Sequence, residues 1–400
     1  MLAATLIGLC ATLLTYVTIE QHNLDRVNAA TASRAEQLAS LAQERFGLYE
    51  YGLLGARGAI LVGGAEAITR PQFEQYINSR SSAREFPGAL GFGFVRRVPV
   101  ADENAFVQRA RADGMPDFTI RTLTPHNEER FVIEYIYPIA PNKQAIGLDI
   151  GSETNRRNAA IEAALTGSAQ LTAPITLVQA EGAVRHGFLI LLPVYKPDAI
   201  LITPADRLKA VIGWSYAPLV VEDVLTGLEQ TLREVNLSIT DMADNLTFFE
   251  HQGAHSSATY SDVTAEKHIS FMGRQWKFTT SPTAELINEL NLASTSNIAI
   301  AGIGLTIAVV FLLFASFNLK QKDDQSDDFS KEISVKTFLA SMAFKKTIFA
   351  YCVISVCFII FSSLYFVKDK FADKAVTLNE YAEYTYNTLA STQHNYIKDL

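Results

Sequence analysis

Four hundred residues carry a net charge of −8, with 48% apolar and 19% charged side chains. A chain of this length allows about two to three domains. The negative balance excludes a basic nucleic-acid surface, and the low charged share fits several membrane spans. The cysteines Cys10, Cys352 and Cys357 all lie in apolar runs, so no disulfide staples the middle block, which is large enough to need none.

Three runs have the length and composition of membrane spans. Leu2 to Ile19 has no charge before Glu20. It lacks the basic start and small-residue cleavage site of a signal peptide, and Leu9 before Cys10 argues against a lipid-modified cysteine. Ile298 to Phe317 is free of charge, and Thr347 to Val367 is interrupted only by Ser, Thr, Tyr and Cys. The connection between the last two carries Lys320, Lys322, Lys331, Lys336, Lys345 and Lys346. The positive-inside rule makes that loop cytoplasmic. Residues 20–297 and the tail after 367 then lie outside, in a multi-pass protein of the cell (inner) membrane.

From Glu20 to about Leu54 the apolar residues Leu24, Val27, Leu38, Leu41 and Leu48 fall at helical spacing in Ala-, Leu-, Glu- and Gln-rich chain. This predicts a membrane-proximal helix continuing from the first span, its near half pairing with a second subunit and its far half packing on the domain. Arg70 to Ile77 reads as a short helix with an early proline. Phe86 to Pro99 follows: a turn at Pro87-Gly88, then a glycine-rich strand that lets another backbone approach. Glu103 to Asp113 is an amphipathic helix ended by Gly114. Thr119 to Leu123 and Phe131 to Ile139 read as strands around the polar loop Thr124 to Arg130.

Ser152 is the expected N-cap of a helix from Glu153 to Thr166, with Gly167 just past its end. Leu171 to Leu177, Gly187 to Val194 and Leu208 to Tyr216 read as strands. A helix is expected from Pro218 to Thr226, reaching Leu232 at most. Val235 to Thr240, Leu246 to Phe249 and Trp276 to Thr280 form a second strand set, and Ala284 to Asn291 leads helically into the second span. Strands cluster instead of alternating with long helices, so the class is α+β.

Beyond the second span the composition changes. Every arginine lies between Arg26 and Arg274, and no Gly or Pro occurs from Leu305 to Leu400. Helices and one polar connection are expected there. The apolar stripe Phe371, Ala375, Leu378, Ala382, Tyr386, Leu389, Tyr396 and Leu400 stops with nothing to pack on it, which suggests a fragment or truncated product of a longer receptor.

No Walker loop, zinc-binding His-Glu-x-x-His, Cys-x-x-Cys or Gly-x-Ser-x-Gly motif occurs, and the seven histidines are scattered. Gly88, Gly91 and Gly93 lack the spacing and the following helix of a dinucleotide loop. No catalytic residue, metal or cofactor is expected, and no enzymatic activity within this chain.

Phe73-Glu-Gln-Tyr76, Phe86 to Val98, Gly147-Leu-Asp-Ile-Gly-Ser-Glu-Thr-Asn-Arg-Arg157, Thr166-Gly167, Leu171-Thr-Ala-Pro-Ile-Thr-Leu177 and Leu192-Pro-Val-Tyr195 occur in order. Together they resemble the CHASE domain, the extracellular sensory module of histidine kinases, diguanylate cyclases and adenylate cyclases, plant cytokinin receptors included. The resemblance covers about 50–230. It implies a long N-terminal helix followed by two tandem PAS-like units outside the membrane. It also implies that Asp149 matches a carboxylate that hydrogen-bonds a ligand heterocycle, and that Leu171 matches a pocket-lining residue. Ile150 and Gly151 replace the bulkier residues of the plant proteins, and the loop Gln179 to Val184 differs, so the plant ligand does not carry over.

A carboxylate at the rim of an apolar pocket can accept N–H bonds while apolar walls supply burial. Asp149 also reads as a helix-entry residue stabilising backbone N–H groups. Leu171, with Thr172 beside it, reads as pocket lining or core. Tyr135 and Tyr137 share a strand face and read as cavity or core. Of Arg96 and Arg97 one faces inward; Arg97 is the candidate for an anion, with a surface ion pair as the alternative. Arg157 is expected to be solvated.

The expected organisation is a span at 1–19, a helix at 20–57 and a sensory domain at 58–297, with a distal unit at about 58–200 and a proximal unit at about 201–290. A span at 298–317, a cytoplasmic linker at 318–346, a span at 347–367 and an external tail at 368–400 complete it. The expected function is a homodimeric transmembrane receptor that senses a small molecule and relays to a histidine kinase or nucleotide cyclase output outside this chain. The alternative is a non-catalytic adaptor whose outer domain binds a protein partner.

Overall fold

A computed structural model describes residues 1–64, 67–176, 186–225, 229–254 and 259–325. The expected span at 347–367, the tail after it, and most of the lysine-rich linker lie outside the described residues, as do Cys352 and Cys357. The chain divides into two units, 26–291 and the segments 1–25 and 292–400.

Helix α1 runs unbroken from Leu2 to Val62, past the expected end near Leu54. Within the 26–291 unit it buries Val27, Thr31, Ala35, Leu38, Ala39, Ala42, Phe46, Tyr49, Leu53, Ala56 and Ile60. Apart from the adjacent Leu38 and Ala39 these fall three or four apart, one largely apolar face of an amphipathic helix. Helix α2 spans Arg70–Asn78, with Pro71 in its first turn. Helices α3, Glu103–Ala112, and α4, Thr154–Thr166, follow. Gly167 closes α4 at φ +82°, a left-handed position that costs glycine no Cβ clash. Its N-cap is Glu153, whose carboxylate accepts from the Asn155 and Arg156 N–H groups. The expected cap, Ser152, instead donates its hydroxyl to the Asp149 carbonyl at 2.5 Å.

The first sheet uses β1 (Phe92–Val98), β2 (Arg121–Thr122), β3 (Arg130–Tyr137), β4 (Leu148–Asp149), β5 (Gln170–Leu171), β6 (Ile175–Thr176), β7 (His186–Tyr195) and β8 (Val211–Val220). Their order is β2-β4-β3-β1-β8-β7-β5, with β6 also paired to β7. The second sheet uses β9 (Val235–Asp241), β10 (Leu246–His251), β11 (Ala265–Phe271) and β12 (Arg274–Pro282) in the order β10-β9-β12-β11. The fold is α+β with a long N-terminal helix.

Strand β8 departs from the expected layout. It lies between β1 and β7, so the first sheet takes in residues well past the expected division at 200 and 201. Residues 208–210, expected in a strand, end a helix at Pro204–Ala210 instead. Thr203 and Asp206 close a capping box there, with Pro204 in the first turn. The helix expected from Pro218 is strand through Val220, Pro218 facing Leu189. Strand β1 pairs with β8 only up to Tyr216, so the proline breaks no bond of that ladder.

Two apolar clusters cover the first sheet. One joins Phe92, Phe94, Tyr135, Tyr137, Phe188 and Leu219 to the α1 stripe, and also takes in Leu237, Ile239, Trp276 and Phe278 of the second sheet. The other joins Val95, Phe131, Ile133, Leu191 and Trp214 to Phe106 and Ala110 of α3 and Ala159, Ala160, Ala163 and Ala164 of α4. All of β8 is buried, as a central strand covered on both faces must be.

In the other unit, helix α5 covers Thr295–Gln325. The helix Ala284–Glu289 does not run into it, because Asn291 turns to φ +46°. Among the described residues, two helices are long and apolar enough to cross a membrane, α1 near the N-terminus and Thr295–Asn318 of α5. Gly302 packs against Thr12 so closely that a Cβ would stand 2.5 Å from its Oγ1, and Asn23 donates to the Ala293 carbonyl at 2.9 Å.

Close backbone approach fixes the centre of the first sheet. A Cβ on Gly213 would lie 2.2 Å from the Val95 carbonyl oxygen and 2.7 Å from the Phe94 ring. Gly213→Ala is expected to destabilise the fold by about 1–3 kcal/mol, read as a lower urea midpoint in the fluorescence of Trp214 and Trp276.

Candidate ligand-binding site

The site is built on a corner at Gly147–Ser152. Gly147 sits at φ +80°, and a Cβ there would lie 2.2 Å from the Thr119 carbonyl oxygen. Only glycine lets the chain turn in that space. The turn inserts β4 between β2, paired in parallel, and β3, paired antiparallel. Asp149 thereby enters the protein interior with no exposed surface.

Its carboxylate has defined partners. Oδ1 accepts from the Phe131 N–H at 2.8 Å and the Gly151 N–H at 2.9 Å. Oδ2 lies 2.7 Å from Nε2 of His126 and 3.9 Å from an Arg130 guanidinium nitrogen. Arg130 donates to Glu103 at 2.7 Å and to the His126 carbonyl at 2.8 Å. Arg157 reaches across the corner to the Gly151 carbonyl at 3.0 Å and the Glu129 carbonyl at 3.2 Å, its guanidinium 4.7 Å from the centre of the Phe131 ring. The expected solvated Arg157 is thus a clamp, paired with Glu128 at its outer end.

The polar loop between β2 and β3 is folded back over the corner by these contacts. His126 covers the one Asp149 oxygen that backbone groups leave open. Its Nδ1 is buried without a hydrogen-bond partner among the described residues. Chemically, the pair offers a carboxylate oxygen and a ring nitrogen to a ligand N–H or O–H that displaces or joins the imidazole. Sequence reasoning did not single out His126; a lone histidine in a polar loop carries no spacing signal.

The other candidates fall elsewhere. Arg97 donates to Glu129 at 2.7 Å and to the Leu208 carbonyl at 2.6 Å, joining the corner only through Glu129. Arg96 is the inward member of that pair, bonded to Glu134 at 2.6 Å. Tyr135 and Tyr137 lie on the opposite face, toward α2. The Tyr135 hydroxyl donates to the Ile68 carbonyl at 3.0 Å and lies 3.2 Å from Asp113, and its ring stacks on Phe73. The Tyr137 hydroxyl donates to the Arg70 carbonyl at 3.2 Å. Burial pushes the Tyr135 phenol above its ordinary range and the Tyr137 phenol up to about 12. Leu171 and Thr172 lie at the far edge of the sheet. Leu171 donates its N–H to the Met272 carbonyl at 2.9 Å, and the Thr172 hydroxyl accepts from the Leu189 N–H at 3.1 Å.

Residues 66–249 match the family model of the CHASE domain. No curated protein matches the chain. Among solved structures, the chain is similar to the periplasmic sensory domain of the Campylobacter jejuni chemoreceptor Tlp1, at a TM-score of 0.40 and 11% identity over 66% of this chain and 96% of that one. It is also similar to the extracellular domain of a protein described as a histidine kinase, soHK1S-Z6, at 0.35 and 12% over 68% and 99%.

Two outcomes follow from this geometry. Asp149→Ala strips the acceptor from two buried N–H groups and is expected to cost about 3 kcal/mol or more, against less for Asp149→Asn, as read from urea unfolding. Above pH 10.0, the ordinary tyrosine value, the unfolded chain releases phenolic protons that folded Tyr135 and Tyr137 retain. Stability is therefore level below that pH and falls as pH rises through about 12, the value at Tyr137. In Tyr137→Phe the alkaline decline in urea midpoint is expected to be shallower.

Proposed function

We propose, from the match of residues 66–249 to the CHASE domain family model, that this chain is the sensing part of a transmembrane receptor for a small molecule. The observation that carries the reading is the position of the CHASE domain between two helices apolar enough to span a membrane. CHASE domains are extracytoplasmic and membrane-anchored. The proposal places 20–297 outside an inner membrane, as two tandem PAS-like units, with the third apolar run at 347–367 as a further span. The output it relays to is a histidine kinase or nucleotide cyclase.

Asp149 is the proposed ligand acceptor, with His126 as the group a ligand displaces or joins. The favoured ligand is a small molecule bearing N–H or O–H donors on an apolar body. Arg97 joins the corner through Glu129 and is proposed to tune it; Tyr135, Tyr137, Leu171 and Thr172 are proposed as packing that shapes the unit. Signalling is a population shift between two arrangements of α1 in a homodimer, and it requires a ligand that binds one arrangement better than the other.

Two measurements test this. Protease added to spheroplasts is expected to cut the 26–291 unit, and complete protection would overturn the topology. In the full chain in lipid nanodiscs, small nitrogen heterocycles are expected to raise the unfolding temperature of the wild type and not of Asp149→Asn. Equal shifts in both would remove Asp149 from the site.

A further inference from the structure

The Asp149 corner is the site proposed above. A cavity of about 290 Å3 opens beside α1 and shares no residue with that corner. Its apolar lining is Leu41, Ala42 and Leu48 of α1, Pro87 of the turn before β1, and Val224 and Leu225 beyond β8. The volume is at the small end of the range for ligand pockets, about 300 Å3.

The walls are held by backbone contact. Gly88 is at φ +88°, and a Cβ there would lie 2.6 Å from the Val224 nitrogen and 2.8 Å from the Asp223 carbonyl oxygen. The Tyr49 hydroxyl donates to the Pro87 carbonyl at 2.5 Å. Turn, helix and the segment leaving β8 are therefore locked together, and the cavity between them is formed before any ligand arrives.

Its charges are unevenly satisfied. Glu85 is taken up by Arg80 at 2.5 and 3.0 Å and by the Ser81 N–H at 2.9 Å, and these bonds hold its carboxyl below the usual range. Glu44 also stands on the rim. Arg45 and Arg84 line the cavity as well, and among the described residues neither has a carboxylate within salt-bridge distance. Arg45 lies beside the Tyr49 hydroxyl. Two guanidinium groups outside any ion pair among the described residues, over an apolar floor and with Glu44 on the rim, are a recognition surface for an anionic head on an apolar body. Guanidinium forks bind carboxylate and phosphate oxygens in the same way.

We propose that this cavity is a second ligand site, for a small molecule with a carboxylate or phosphate head on an apolar body, held by Arg45 and Arg84 against α1. A ligand there bridges α1 to the segment that leaves β8. The inference stands apart from the Asp149 reading, and either can fail alone.

The test uses the full chain in nanodiscs with benzoate, phenyl phosphate and neutral benzamide, followed by calorimetry and saturation-transfer NMR. At least one of the two anions is expected to bind saturably, and the tighter one assigns the head group. Benzamide is expected to bind about tenfold more weakly or less, as are the anions to Arg45→Gln and Arg84→Gln. Arg84 is exposed, so its variant folds even where loss of Arg45 disturbs Tyr49. Leu48→Trp, at a 40% exposed wall position, is expected to block binding by filling the cavity. Arg233→Gln, at an exposed arginine paired with Glu285, is expected to change nothing. No binding of either anion in the millimolar range, benzamide binding as tightly as benzoate, or undiminished binding in Arg84→Gln and Leu48→Trp overturns the proposal.

Discussion

One stripe of α1 serves as the floor of both sheets in the 26–291 unit. Leu38 to Ile60 share a single apolar cluster with Phe94 and Leu219 of the first sheet and with Leu237, Trp276 and Phe278 of the second. Phe46 makes the join concrete, its ring centre 5.3 Å from that of Trp276 and 5.7 Å from that of Tyr49. Each sheet also gives one buried hydroxyl to a helix carbonyl. Ser215 donates to Leu53 at 3.0 Å and Thr280 to Thr31 at 3.3 Å. The register of α1 is therefore set by both sheets at once. Burial of this stripe, at about 25 cal/mol per Å2 of apolar surface, is what makes the two sheets one unit.

The same economy recurs in the buried acids. Asp149 and Asp241 have no exposed surface, and each ends a strand and anchors the turn that follows. Asp241 accepts from the Ala243 N–H at 3.0 Å, from Arg274 at 2.5 and 2.8 Å, and from the Trp276 indole at 3.2 Å. A buried carboxylate is tolerated only when its lone pairs are filled. Asp241 is filled by an arginine and an indole, firm structural partners. Asp149 is filled on one oxygen by backbone and on the other by a histidine in a polar loop, a partner far easier to exchange. That contrast is the reason Asp149, and not Asp241, is the acid proposed to meet a ligand.

Much of this was legible in the residues, and the failures have physical causes. The short helices over Arg70 to Ile77 and Glu103 to Asp113 follow from spacing, a first-turn proline and Gly114, and Gly167 marks the end of α4. On α1, Val27 and Leu38 are buried as expected, but Leu48 is 40% exposed, and Phe46, Tyr49 and Leu53 carry the packing in its place. A helix between two sheets chooses its face by what the sheets offer, which local periodicity does not contain. Strand β11 was missed because its half-exposed pattern mixes Glu266, Lys267 and His268 with Ile269 and Phe271. The Thr203 to Asp206 capping box was present in the sequence but was not read, and the apolar run after it reads as strand from Leu208. At the site, the Leu148-Asp149 segment was found by resemblance, whereas His126 and Arg157 reach it through the fold alone.

The order of the first sheet has a consequence for how the chain is made. Strand β1, the first to be synthesised, has β3 on one side and β8 on the other, and β8 is the last strand of the sheet to leave the ribosome. Pairing Gly93 with Tyr216 closes a loop of most of the domain, and such non-local contacts fold slowly. Until β8 arrives, β1 presents an unpaired edge and α1 an uncovered apolar stripe, both of them surfaces that aggregate. The nascent chain is therefore at its most vulnerable between the emergence of Phe92 and that of Val220.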